Sequence, residues 1–124
     1  MKGVSLYFFV TAVVAVTLGM IWGIQMSASG IHQLSGAHAH QNLVGWATMA
    51  LFGIYYHLHP SANEAMLAKV HYGVVLSGVG VMVPGIVQAI QEAGEALAKA
   101  GSILTLLSML IFLYTVVMTS KITD

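Results

Sequence analysis

Gly36-Ala37-His38-Ala39-His40-Gln41-Asn42-Leu43-Val44-Gly45-Trp46 places two imidazoles at the head of an apolar segment in which nothing ionises from Leu43 to Tyr56. Ionisable side chains at or near membrane depth are costly to keep, and where they occur they mark functional positions. Neutral imidazole is also a common biological metal ligand. Two histidines at the mouth of an apolar helix therefore point to a metal or a heme. On a helix, positions two apart are rotated by roughly 200°, so His38 and His40 face nearly opposite directions. They are poorly placed to clamp one iron and well placed to serve two sites on either side of their helix.

The rest of the chain has the composition of a membrane protein. Of 124 residues, 58% are hydrophobic and 6% charged, against about 25% charged in soluble domains; the mean hydropathy is +0.87. There is no cysteine, which excludes thiolate metal sites, disulfides and thiol catalysis. The four basic residues are all lysines and the net charge is zero, so nucleic acid is excluded as a partner on electrostatic grounds. Glu64, Glu92, Glu95 and Asp124 fall in expected loops or tails. No Ser-His-acid arrangement, phosphate loop or His-Glu-x-x-His motif is present.

About 20 apolar residues cross a bilayer as a helix. Four segments meet that length: Val4 to Met26, Ala39 to His57, Ala65 to Ile90 and Ser102 to Thr119. Ser27-Ala28-Ser29-Gly30, Pro60-Ser61-Ala62-Asn63 and Glu92-Ala93-Gly94-Glu95 separate them. The expected fold is an all-α integral membrane protein of four transmembrane helices in a single domain, residues 1–124. The first segment exceeds the h-region of a signal peptide and is expected to be retained as a span. With four spans, Lys2, Lys69 and Lys121 share one side and Lys99 lies opposite. The positive-inside rule then puts both termini in the cytoplasm, with the protein in the cytoplasmic (inner) membrane.

Two histidine clusters follow. His32, His38 and His40 lie toward the outer face and His57, His59 and His71 toward the inner one. His40 and His57 are 17 positions apart, or roughly 25 Å at helical rise. His32 reads as a solvated loop residue and His57 and His59 as interfacial residues beside Pro60, while His71, after Lys69, reads either as an interfacial anchor or as a ligand or proton-path residue. Gly19-x-x-x-Gly23 and the stripe Gly73, Ser77, Gly80 are expected to support close helix packing. Pro84 is expected to kink the third segment. Tyr7, Tyr55, Tyr56, Tyr72 and Trp22 read as interfacial belt residues, whereas Trp46 lies deeper and is a candidate to pack on a cofactor ring.

The His-x-His stretch also carries a family resemblance. Gly36-Ala37-His38-Ala39-His40, followed by Leu43, Gly45, Ala50, Gly53 and Pro60, resembles the tenth helix of heme-copper oxidase subunit I. Ala68-Lys69-Val70-His71-Tyr72-Gly73, with Gly78 and Pro84, looks like the helix that follows it. The resemblance covers roughly residues 36–86. It implies that the first histidine of the pair holds a high-spin heme and the second a low-spin heme on the other face, and that His71 is not a heme ligand. The four spans would correspond to the last four helices of a twelve-helix subunit built as three arcs. A homotrimer of this chain would rebuild that outline, with identical heterologous interfaces, and His40 of one protomer would face His38 or His40 of its neighbour across a heme. The copper-site histidines and tyrosine and the lysine and glutamate proton channels of the family are not recognisable here, so proton-pumping oxygen reduction is not implied.

The expected function is that of a membrane heme b protein in electron transfer or gas binding, with quinone or a redox protein as a candidate partner. Its potential would be set by axial ligation and a low-dielectric pocket. Two other readings stand beside it. One is a copper- or zinc-binding membrane protein using His32, His38 and His40. The other is a structural accessory subunit of a respiratory complex, without a cofactor.

Overall fold

The computed structural model describes residues 1–122, all of whose regular structure is helical. Helix α1 spans Val4–Ser29 and ends at Gly30, whose φ of 70° lets its N–H close on the Met26 carbonyl at 3.0 Å. That left-handed position is one that glycine adopts without penalty. A continuous helical run follows. It consists of α2 (Ser35–His40), a π-helical stretch (Gln41–Thr48) and α3 (Met49–Leu58). Pro60 opens the short α4 (Pro60–Glu64), the position where a missing N–H costs least. Helix α5 covers Met66–Ile90 and α6 covers Ala96–Ile122.

Three of these helices, α1, α5 and α6, are long and apolar enough to cross a membrane. The second expected segment, 39–57, lies within the helical run Ser35–Leu58, which differs from a plain α-helix of those bounds in two respects. It begins earlier, at Ser35, and its middle is wound as a π-helix rather than an α-helix. The Thr48 hydroxyl donates to the Leu43 carbonyl five residues back, at 2.8 Å, following the widened winding. The last helix also starts earlier than expected. Residues Ala96 to Gly101 join it, with Lys99 and Glu95 paired at 3.4 Å at the exposed entry. Helix α5 continues through Pro84 to Ile90.

Ser5 and Asn63 tie the first helix to α4. The Ser5 N–H, an orphan donor at a helix start, donates to Asn63 Oδ1 at 2.8 Å. Asn63 Nδ2 in turn donates to the Lys2 carbonyl at 3.1 Å. A residue of α4 therefore caps a helix 58 positions away in sequence.

Helix α1 packs along the π stretch and α3, and α5 packs along α6. Helix α6 packs mainly on α5, sends Phe112 to Phe52 and Tyr55 of α3, and does not pack along α1. Backbones approach closely where glycine permits it. A Cβ at Gly101 would lie 2.5 Å from the Met82 backbone, and one at Gly85 would strike the backbone of Ala98. The expected stripe Gly73, Ser77, Gly80 plays no such part within the protomer: the three residues are exposed, and a Cβ at Gly73 or Gly80 would meet nothing within 4 Å. The other expected small-residue face, Gly19 and Gly23, does receive the second helix.

The core is aromatic. Phe8, Phe52, Tyr56 and His71 are fully or almost fully buried. Phe8 stands edge-on to Phe52 at 5.7 Å, and Phe112 of α6 reaches Phe52 at 4.5 Å. Offset and edge contacts of this kind are the favourable arrangements for aromatic rings. Tyr56 reads in the sequence as an interfacial residue, and His71 as an interfacial anchor or a ligand or proton-path residue. Instead both side chains lie inside this cluster, where the Tyr56 hydroxyl and His71 Nδ1 share a hydrogen bond of 2.9 Å.

Candidate cofactor site

Helix α2 presents the two motif histidines to different surroundings. His38 turns toward α1, where its Nε2–H donates to the Gly19 carbonyl at 2.8 Å. Its ring stands edge-on to Trp22 at 5.6 Å and 89°. Gly23 leaves the room: a Cβ there would come within 3.4 Å of His38 Nε2. One turn further on, Gln41 Nε2 donates to the Ala15 carbonyl at 2.9 Å. Two carbonyls four residues apart on α1 thus each accept a bond from the second helix in addition to their own helical bond. The Gly-x-x-x-Gly face seats polar side chains as well as backbone.

Asn42 sits between these groups. Its side chain occupies the space a Cβ on Gly19 would need, and its Nδ2 lies 3.3 Å from His38 Nε2. Asn42 Oδ1 is buried without a partner.

His40 is exposed on the opposite face. Its Nδ1–H donates to the Gly36 carbonyl one turn earlier, at 2.8 Å. That bond fixes the tautomer and leaves the Nε2 lone pair directed away from the protomer. A metal-ligating histidine is commonly held in this way, by donating its second ring N–H to a backbone carbonyl. The surface beside His40 is small and apolar, with Ala39, Leu43 and Ala47 all exposed.

The remaining candidates are dispersed. His32 is exposed in the loop after α1, with Nδ1 3.2 Å from the Gly30 carbonyl. Among the described residues, no group of three or more His, Asp or Glu side chains is placed to hold one metal ion. Trp46 is half-buried and packs against the protomer's own apolar cluster. At the other end, His59 stacks on Tyr55 at 4.1 Å and its Nδ1–H donates to the Tyr55 carbonyl at 2.9 Å, while His57 is exposed.

Sequence reasoning missed the buried pair of Tyr56 and His71. His71 Nε2 is buried without a hydrogen-bond partner, although the backbone of Ser108 on α6 lies near it. The Thr115 side chain adjoins the Tyr56 hydroxyl from the same helix. The signal was present in the helical register of Met49, Phe52 and Tyr56, which recur at helix spacing on one buried face.

No protein-family model, curated protein or solved structure matches the chain.

Proposed function

We propose that the chain is a membrane-embedded heme b protein of redox or electron-transfer function, in which His40 is the principal iron ligand. The carrying observation is the state of the His40 ring: exposed, tautomer fixed by Gly36, and Nε2 free. The flanking alanines and leucine offer a flat apolar surface to a porphyrin, and the donor set is the one heme iron takes. Bound there, heme would supply reversible one-electron transfer. His38 in this arrangement positions the ligand helix, because its own Nε2–H is committed to Gly19.

The proposal extends to the assembly. Ser35 to Leu58 serves as a fourth span, with its π stretch accommodated against α1, and the termini face the cytoplasm. An exposed ligand needs a second surface to complete its site, and α6 leaves the bundle unclosed. Three copies arranged in a ring supply that surface, with His40 of one protomer facing the next. On this reading the likeness of residues 36–86 to heme-copper oxidase subunit I reflects common descent.

The test combines heme content with mass. The purified complex is expected to weigh three times the 13.1 kDa chain plus heme, and His40→Ala is expected to lose the heme. A monomer that retains heme after His40→Ala overturns both parts. The metal-only reading through His32, His38 and His40 is favoured instead if copper or zinc co-purifies without a Soret band.

A further inference from the structure

A groove of about 800 Å³ lies at the end of the molecule where the chain starts. Its walls include Lys2, just before α1, Tyr7 of α1, Asn63 and Glu64 from α4, and Lys69 and Tyr72 from α5. Most of the lining is apolar, yet two ammonium groups border it and only one carboxylate does. Lys2 and Lys69 make no ion pair among the described residues, where the sole ion pair is Lys99 with Glu95 at the opposite end.

The groove is held in shape from below. Asn63 Nδ2 and the Ser5 hydroxyl both donate to the Lys2 carbonyl, at 3.1 and 2.6 Å. The Lys2 main chain is therefore fixed while its side chain remains uncommitted. The Tyr72 hydroxyl is bound to Thr11 at 2.8 Å, and its ring lies 6.0 Å from Tyr7, which is 60% exposed. Two phenol rings thus stand side by side just inward of two lysines.

We propose that this groove binds an anionic phospholipid, its headgroup phosphate between Lys2 and Lys69 and the upper part of an acyl chain along Tyr7 and Tyr72. The chemistry is divided as such a ligand is divided: cationic at the rim, aromatic and apolar below. Aromatic rings favour the headgroup level of a bilayer, and lysines at a membrane surface attract anionic lipid. Glu64, on the same wall, carries the one opposing charge. The proposal is independent of heme at His40.

Delipidated protein is titrated with phosphatidylglycerol, and separately with phosphatidylcholine as the neutral counterpart, and bound lipid is counted by native mass spectrometry. Phosphatidylglycerol is expected to bind more tightly and to survive activation longer. Lys2→Gln and Lys69→Gln are each expected to weaken it about fivefold, Glu64→Gln to tighten it, and Lys99→Gln, at the other end, to leave it unchanged. Equal retention of the two lipids overturns the proposal. So does unchanged binding in the Lys2→Gln, Lys69→Gln double variant with its helical circular dichroism intact.

Discussion

The hydroxyl of Tyr56 and Nδ1 of His71 lie 2.9 Å apart, and both side chains are completely removed from the surface. Phe8, Phe52 and Phe112 enclose the pair, with ring centroids 4.6 to 5.9 Å from the imidazole. The bond joins α3 to α5 at a place where neither group can exchange it for water. Its role is to fix the register of two helices, since a buried polar group is cheap only when it is matched.

Tyr56→Phe keeps the ring and removes the partner, leaving His71 with both nitrogens unmatched. It is expected to lower stability by about 1–3 kcal/mol. Replacing both members, as in Tyr56→Phe with His71→Leu, is expected to recover much of that loss, because the penalty belongs to the orphaned group. Thermal or denaturant unfolding in detergent measures both. A double variant that loses as much stability as the sum of the two single losses would argue against a matched pair.

Gly101 and Gly80 separate packing from composition. Alanine at 101 would place its methyl group against the Met82 backbone, and overpacking of this kind costs about 1–3 kcal/mol. Alanine at 80 meets nothing in the protomer. It is expected to be neutral or to stabilise by up to about 1 kcal/mol through helix propensity. A loss at Gly80 confined to the assembled complex, seen by comparing oligomer dissociation with unfolding, would place that face at a protomer interface.

The two motif histidines are expected to behave differently without heme. His38→Ala removes a bond to Gly19 and a ring contact with Trp22, at a cost of about 1 kcal/mol in the apoprotein. His40→Ala touches only its own helix turn and is expected to change apoprotein stability by no more than about 0.5 kcal/mol. His59→Ala, at the far end of the same helical run, is expected to leave heme content unaltered. Unfolding of heme-free protein and pyridine hemochrome assays of expressed protein check the three.

The helices, their apolar character and the unequal surroundings of His38 and His40 were legible in the sequence because each follows from period and composition. A two-residue offset on a helix separates two faces whatever packs against them. The π stretch was not legible. Its apolar residues satisfy an α-helical reading, and the winding is accommodated with Gln41 and His38 reaching carbonyls of α1 and Asn42 filling the space beside Gly19. The burial of Tyr56 and His71 was missed for a similar reason. Each stands near a span end beside a charged or breaker residue, the usual setting of an interfacial anchor, and only the convergence of Phe8, Phe52 and Phe112 from three helices closes over them. Gly73 and Gly80 show the reverse failure. A small-residue stripe identifies a face that permits approach, but which face is used depends on the neighbour, and α6 chose Gly78 and Gly85.

The most direct test of the central claim is a dithionite-reduced minus oxidised absorption spectrum of purified wild-type protein expressed with ample heme, repeated after addition of carbon monoxide and on His40→Ala. Sharp α and Soret bands that His40→Ala abolishes are the predicted result, and the carbon monoxide response then reports whether the sixth iron position is filled by a neighbouring protomer or open. A spectrum without heme bands in the wild-type protein would contradict it.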